Sequence, residues 1–195
     1  MIKKILIVLL TLYSLNASSI GVTDEELEQF AKNWNTLMPE DAYDFIPEKV
    51  DYKLLTDPDF QAKINQAGKQ LNQSLQNTTI ELAGFMVPIE VHNKQVTKFL
   101  LVPEAGQCVH VPPPPVNQTL IVDSSNNPTQ LRDIYEPIIV SGALSVGRQT
   151  ADISNSALSD SNQDAAGALS YNNVESGYTL SKVVVTTLVF EETTE

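Results

Sequence analysis

The sequence predicts a mainly β chain of the α+β kind, with five or six strands curled into a small barrel behind two amphipathic helices. Three observations predict it. Apolar residues recur at helical spacing only before about residue 77, and from Thr78 onward they alternate or run in strand-length blocks. Gly84 and Gly142 fall inside two of those blocks, where a strand is expected to bulge or kink. Hydrophobic residues make up 42% of 195, enough for a single core and unlike a disordered composition.

The chain divides into residues 1–19, 20–77 and 78–195. Lys3 and Lys4, the apolar run Ile5 to Leu12, and Ala17-Ser18-Ser19 follow the order of a signal peptide. The run is too short to span a bilayer, so cleavage and export to the periplasm or beyond are expected, with an uncleaved anchor as the alternative. No cysteine lies near the cleavage region to carry a lipid.

Residues 20–77 are expected to form a helical lobe. Thr23-Asp24-Glu25-Glu26 reads as a capping box, and Leu27, Phe30, Ala31 and Trp34 continue a helix from Asp24 to about Asn35. Trp34 is expected to anchor a core, and Leu37-Met38-Pro39-Glu40 stops the helix. Asp57-Pro58 starts a second, whose apolar stripe is Phe60, Ile64, Ala67, Leu71 and Leu75.

From Thr78 the strands follow in turn. Thr78 to Ile89 and Val96 to Val102 form a hairpin around a polar turn, and Asn117 to Val122 is the third strand. Pro137 to Val146 is the fourth, Ala168 to Tyr171 a short candidate, and Tyr178 to Phe190 closes the sheet. Ser154 to Gly167 is poor in bulky residues and reads as an excursion or weak helix. Curved strands in this number behind helices suggest an oligonucleotide/oligosaccharide-binding-type (OB-like) barrel, with a sandwich as the alternative.

The formal charge is −12, from 24 acidic against 12 basic residues, which disfavours binding to phosphate backbones and gives no basic docking patch for anionic lipid. No phosphate-cradling glycine loop, serine-nucleophile elbow or zinc-protease helix motif is present.

The unusual chemistry is concentrated between Lys98 and Gln118. The chain's single cysteine, Cys108, stands two residues before His110, and four prolines follow. In an extended segment alternation places Cys108 and His110 on one side, and thiolate with imidazole suits zinc or copper(I). Two ligands do not close a site. Glu90, His92, Glu104 and Asp123 are the candidates for a third, and Glu90 is taken with Cys108 and His110 as the metal set. A second reading makes Cys108 a nucleophile with His110 as base and Asn117 orienting it, as in a hydrolase or thiol-exchange enzyme. A third makes Cys108 a core residue of a purely structural envelope protein. Pro112, Pro113, Pro114 and Pro115 form a stiff extended rail, and with Asn117 and Gln118 they are the expected docking edge for a partner protein.

Three blocks carry a family resemblance: Leu82-Ala83-Gly84-Phe85-Met86-Val87-Pro88-Ile89-Glu90, Phe99-Leu100-Leu101-Val102-Pro103, and Gly106 to Pro115 with Asn117-Gln118. Together they resemble the bacterial domain-of-unknown-function family numbered 3299, and Trp34 to Pro39 resembles a tryptophan-leucine-proline element that its members carry upstream. The resemblance implies an exported protein with an OB-like barrel. It also implies an accessory role beside permease-type transporters or in zinc handling, with zinc as the cofactor. Gln107 departs from the small residue usual at its position, and the missing lipid-anchor cysteine implies a soluble member.

Overall fold

The computed structural model describes residues 24–154 and 172–187. The leader expected at residues 1–19, Thr23, the excursion or weak helix expected from Ser154 to Gly167, the strand expected at Ala168 to Tyr171 and all residues after Thr187 lie wholly or largely outside them.

Among the described residues three α-helices precede the sheet: α1 (Asp24–Thr36), α2 (Tyr52–Leu55) and α3 (Pro58–Ala67). The Asp57 side chain caps α3 as its sequence predicts, accepting hydrogen bonds from the N–H groups of Asp59 and Phe60, both at 2.9 Å, with Pro58 in the first turn. The apolar stripe outlasts this helix. α3 ends at Ala67, and Leu71 and Leu75 reach the core from irregular chain and from a 3-10 turn at Gln73–Leu75. Gly68 caps the end of the helix, and Pro115 lies against it: a Cβ there would meet the Pro115 Cβ at 2.8 Å.

The strands are β1 (Thr79–His92), β2 (Gln95–Val102), β3 (Leu120–Asp123), β4 (Thr129–Gln130), β5 (Pro137–Asp152) and β6 (Asn173–Thr187). The chain is therefore mainly β, as expected. Its six-stranded sheet runs β1-β5-β6-β3-β2-β4, and a further β1–β2 pairing closes a ring through five of the strands. Every step of the ring is antiparallel except β3 to β6, which is parallel. The β1–β2 hairpin turns on Asn93 and Lys94, both at positive φ (53° and 64°), the conformation that a two-residue turn needs to match strand twist. The third strand starts later than expected. Val116–Gln118 forms a 3-10 turn, and pairing begins at Leu120. The short β4 escapes sequence reading because two residues carry no period.

The bulge expected at Gly84 is absent, the pairing running unbroken through it, whereas Gly142 does sit at one; both glycines are also close approaches. A Cβ on Gly84 would meet the Val102 carbonyl oxygen at 2.6 Å and Trp34 at 3.1 Å. At Gly142 the β5–β6 register shifts, and a Cβ would meet Ser181 and Val183 at 2.9 Å.

The strands bury two faces. Phe99 and Leu101 of β2, with Leu120 and Val122 of β3, enter a core that also holds Trp34, Leu82, Met86, Ile138 and Tyr178. Leu100, Val102 and Ile121 point the other way, into a second cluster with Val87, Ala151, Ile153 and Val174. Burial on both faces explains why Phe99-Leu100-Leu101-Val102 is continuously apolar rather than alternating.

The helical residues and the sheet share the first of these cores, across the boundary drawn at residues 77 and 78. Trp34 is buried, and its Nε1 donates to the Ala83 carbonyl at 2.6 Å. The Tyr178 hydroxyl accepts from the Asn72 N–H at 2.8 Å and donates to the Leu37 carbonyl. Burial raises the pKa of this phenol.

Candidate functional site

The segment between β2 and β3 is coiled where alternation had been expected. Gly106 adopts φ +77°, and its carbonyl oxygen accepts from the N–H groups of Val109, His110 and Val111 at 3.2, 2.8 and 3.2 Å. Cys108 is also at positive φ (65°), and its N–H donates to the Val111 carbonyl at 3.0 Å. Residues two apart on an extended strand share a side; two apart on a tight turn they diverge. That is what happens to Cys108 and His110.

Cys108 points inward. It is 4% exposed and packs with Val87, Leu100, Val102, Ile121, Ala151, Ile153 and Val174. Burial pushes its thiol up to about 12. At neutral pH it is a protonated, apolar side chain and neither a nucleophile nor a metal ligand in that state. Buried Gln107 fastens the turn, its Oε1 accepting from the Glu104 N–H at 3.2 Å.

His110 points outward. It is exposed, and its ring stacks on that of Tyr135 with centroids 6.5 Å apart and planes 8° from parallel. Tyr135 is 60% exposed, and Val111 beside His110 is 42% exposed. The outer surface of the turn thus exposes an imidazole stacked on a phenol, and the isopropyl group of the next residue in the chain.

The other candidate ligands lie apart or are engaged. Exposed Glu90 pairs with Lys98 on the neighbouring strand at 2.9 Å. His92 is exposed at the end of β1, and Glu104 is exposed before the turn. The Asp123 carboxylate accepts from the Ser125 hydroxyl and N–H at 2.6 and 3.0 Å, and these bonds lower its pKa. Among the described residues no group of three or more His, Cys, Asp or Glu side chains comes together as a metal site would require. The donor set in view does not fit zinc, whose structural sites need four ligands.

Pro112 to Pro115 run extended, with Pro112 and Pro115 exposed and Pro113 and Pro114 half-buried. The two residues expected to meet a partner beside them are turned inward. Asn117 is fully buried, donating from its side chain to the Ala67 carbonyl and from its backbone to the Gly68 carbonyl, both at 3.0 Å. Half-buried Gln118 donates to the Trp34 carbonyl at 3.0 Å. These two amides bind the helices to the sheet. Behind the rail lies a cleft of about 340 Å³, walled by the end of α3 (Ile64, Asn65, Gly68, Lys69), by Pro113 to Val116 and by Asn173 to Glu175 at the start of β6. Tyr135 and this cleft were not anticipated from sequence. The isolated Tyr in a polar loop carried no period, and a cleft needs the packing of three distant segments.

The family model described as "Protein of unknown function (DUF3299)" matches residues 34–167. The crystal structure of a DUF3299 family protein from Pseudomonas aeruginosa PAO1 is similar, with a TM-score of 0.52 and 26% sequence identity, covering 82% of this chain and 95% of that one. No curated protein matches this chain.

Proposed function

We propose, for a chain that belongs to the DUF3299 family, that it is an exported, non-enzymatic accessory protein of the bacterial envelope. It acts by holding a permease-type protein partner against the outer face of the Gly106–Pro115 turn. One observation carries this reading: the turn sorts its residues by role. The reactive type, Cys108, is sealed in the core, while His110 and Tyr135 stand stacked and exposed beside Val111. Exposed aromatic and apolar side chains on a rigid turn are the material of protein interfaces. An enzyme using Cys108 needs its thiolate at the surface, and a zinc carrier needs ligands beyond those that the described residues gather.

A photo-crosslinking amino acid at position 135, expressed in the native host, tests the reading. An adduct with an integral envelope protein is expected, lost with His110→Ala and not formed from the exposed position of Tyr52. Equal crosslinking from both positions, or none from 135, would refute it. Elemental analysis of the purified mature protein is expected to give well under one zinc per chain.

A further inference from the structure

The backbone of β6 faces two ways, and among the described residues its first residues have a backbone partner on one side only. Asn172 and Ile153 lie opposite each other, the Ile153 N–H donating to the Asn172 carbonyl at 2.9 Å. In an antiparallel ladder, hydrogen-bonded pairs alternate with pairs whose backbone groups point away from each other. Asp152 with Asn173 and Thr150 with Glu175 are therefore outward-pointing pairs. Gly177 keeps the same parity, and its N–H does face the opposite edge, donating to the Thr119 carbonyl at 3.3 Å. On that edge β3 pairs with β6 only from Leu120 and Tyr178 onward. The N–H and C=O groups of Asn173 and Glu175 thus point at the cleft, with no backbone partner among the described residues.

The facing wall forms no ladder with this edge. Pro113, Pro114 and Pro115 have no N–H, so the chain entering β3 is unable to extend the parallel pairing. The Pro115 carbonyl already accepts from the Gln118 N–H at 2.8 Å, and the single Thr119 hydroxyl proton is shared between the Pro115 and Pro114 carbonyls at 3.0 and 3.4 Å. What remains is an edge of three residues, about 10 Å long at strand rise, beside a 340 Å³ cleft with apolar rings on its far side.

We propose that an extended peptide segment of a partner protein adds as a strand to Asn173–Glu175, with its side chains against the proline rings. The α3 end of the cleft selects a carboxylate on that peptide. Lys69 lines it, and the Arg148 guanidinium is anchored there on the Lys69 carbonyl at 2.7 Å, in a chain whose net charge is −12. The proposal rests on the reading of this chain as a protein-binding accessory, and places a second contact of that kind behind the turn.

The test uses the full mature chain and a phage-displayed random decapeptide library. The enriched decapeptide is synthesised with a fluorescent label and measured by anisotropy. Glu175→Pro removes the outward N–H without taking a bond from the β5 ladder, which keeps it compatible with an edge strand. Circular dichroism verifies that it folds. We expect this variant to bind at least tenfold more weakly, Glu175→Ala to bind within about twofold of the parent, and Lys69→Glu to weaken binding about fivefold. Methylating the central backbone nitrogen of the peptide is expected to abolish binding, an arm that needs no variant protein. Failure to enrich any peptide, or binding equal to the parent's by Glu175→Pro or by the methylated peptide, would overturn the proposal. So would a dimer that Glu175→Pro dissociates, which would make a second copy the occupant. Tyr135→Ala is expected to leave peptide binding intact, so that failure at the turn and failure at the β6 edge are told apart.

Discussion

Reaction of Cys108 with dithionitrobenzoate, in native protein and in guanidinium chloride, probes the placement on which the functional reading depends. A thiol held at about 12 in place of 9.0 has about one thousandth of the usual thiolate population in any buffer well below pH 9, since each pKa unit is tenfold. At pH 8, ionisation alone should slow the native reaction about a thousandfold relative to the denatured chain. The aliphatic side chains around the sulfur slow it further by excluding the reagent. One thiol per chain should titrate at once in denaturant, and Cys108→Ala should give none under either condition. A native rate within tenfold of the denatured rate would refute the sealed-thiol reasoning. With it would go the main argument against catalysis.

The raised thiol and phenol also set the direction of pH dependence. Both Cys108 and Tyr178 favour the protonated form when folded, so their contribution is fully present below the unfolded values near 9.0 and 10.0 and is lost as pH rises through the folded ones. Urea midpoints should accordingly fall above about pH 9, and the fall should be smaller in Cys108→Ala. Tyr178→Phe leaves the Asn72 N–H and the buried Leu37 carbonyl without their partner, so an unfolding free energy lower by about 2–3 kcal/mol is expected from denaturant melts with unchanged slope. At Gly106 a methyl group has room, its nearest neighbour being Tyr135 at 3.8 Å. Gly106→Ala should therefore cost only the backbone penalty of its φ, about 1–2 kcal/mol by the same melts. Asp57→Ala should cost about 1 kcal/mol through the lost α3 cap.

The sequence made local periodicity legible and kept three-dimensional encounters hidden. Asp57-Pro58 announced its helix because a cap and a first-turn proline act within four residues. Phe99 to Val102 announced a strand, though not that both its faces are covered, which depends on the far ends of β5 and β6 folding back. Cys108 and His110 were read through an extended backbone, and the error lay in that premise. Gly106 at positive φ gathers three N–H groups on one carbonyl and turns the pair apart. The same local reading missed that Asn117 and Gln118 satisfy helix carbonyls 50 and 84 residues away. Polar residues after a proline run look solvent-facing until the groups that complete them are in view.

Those remote amide bonds have a practical corollary for anyone trimming the chain. Starting it at Thr78 would strip the acceptors from Asn117, Gln118 and Tyr178 and bare the floor on which Trp34 rests. The shortest piece worth expressing must begin ahead of that tryptophan, at whose position the family match also opens.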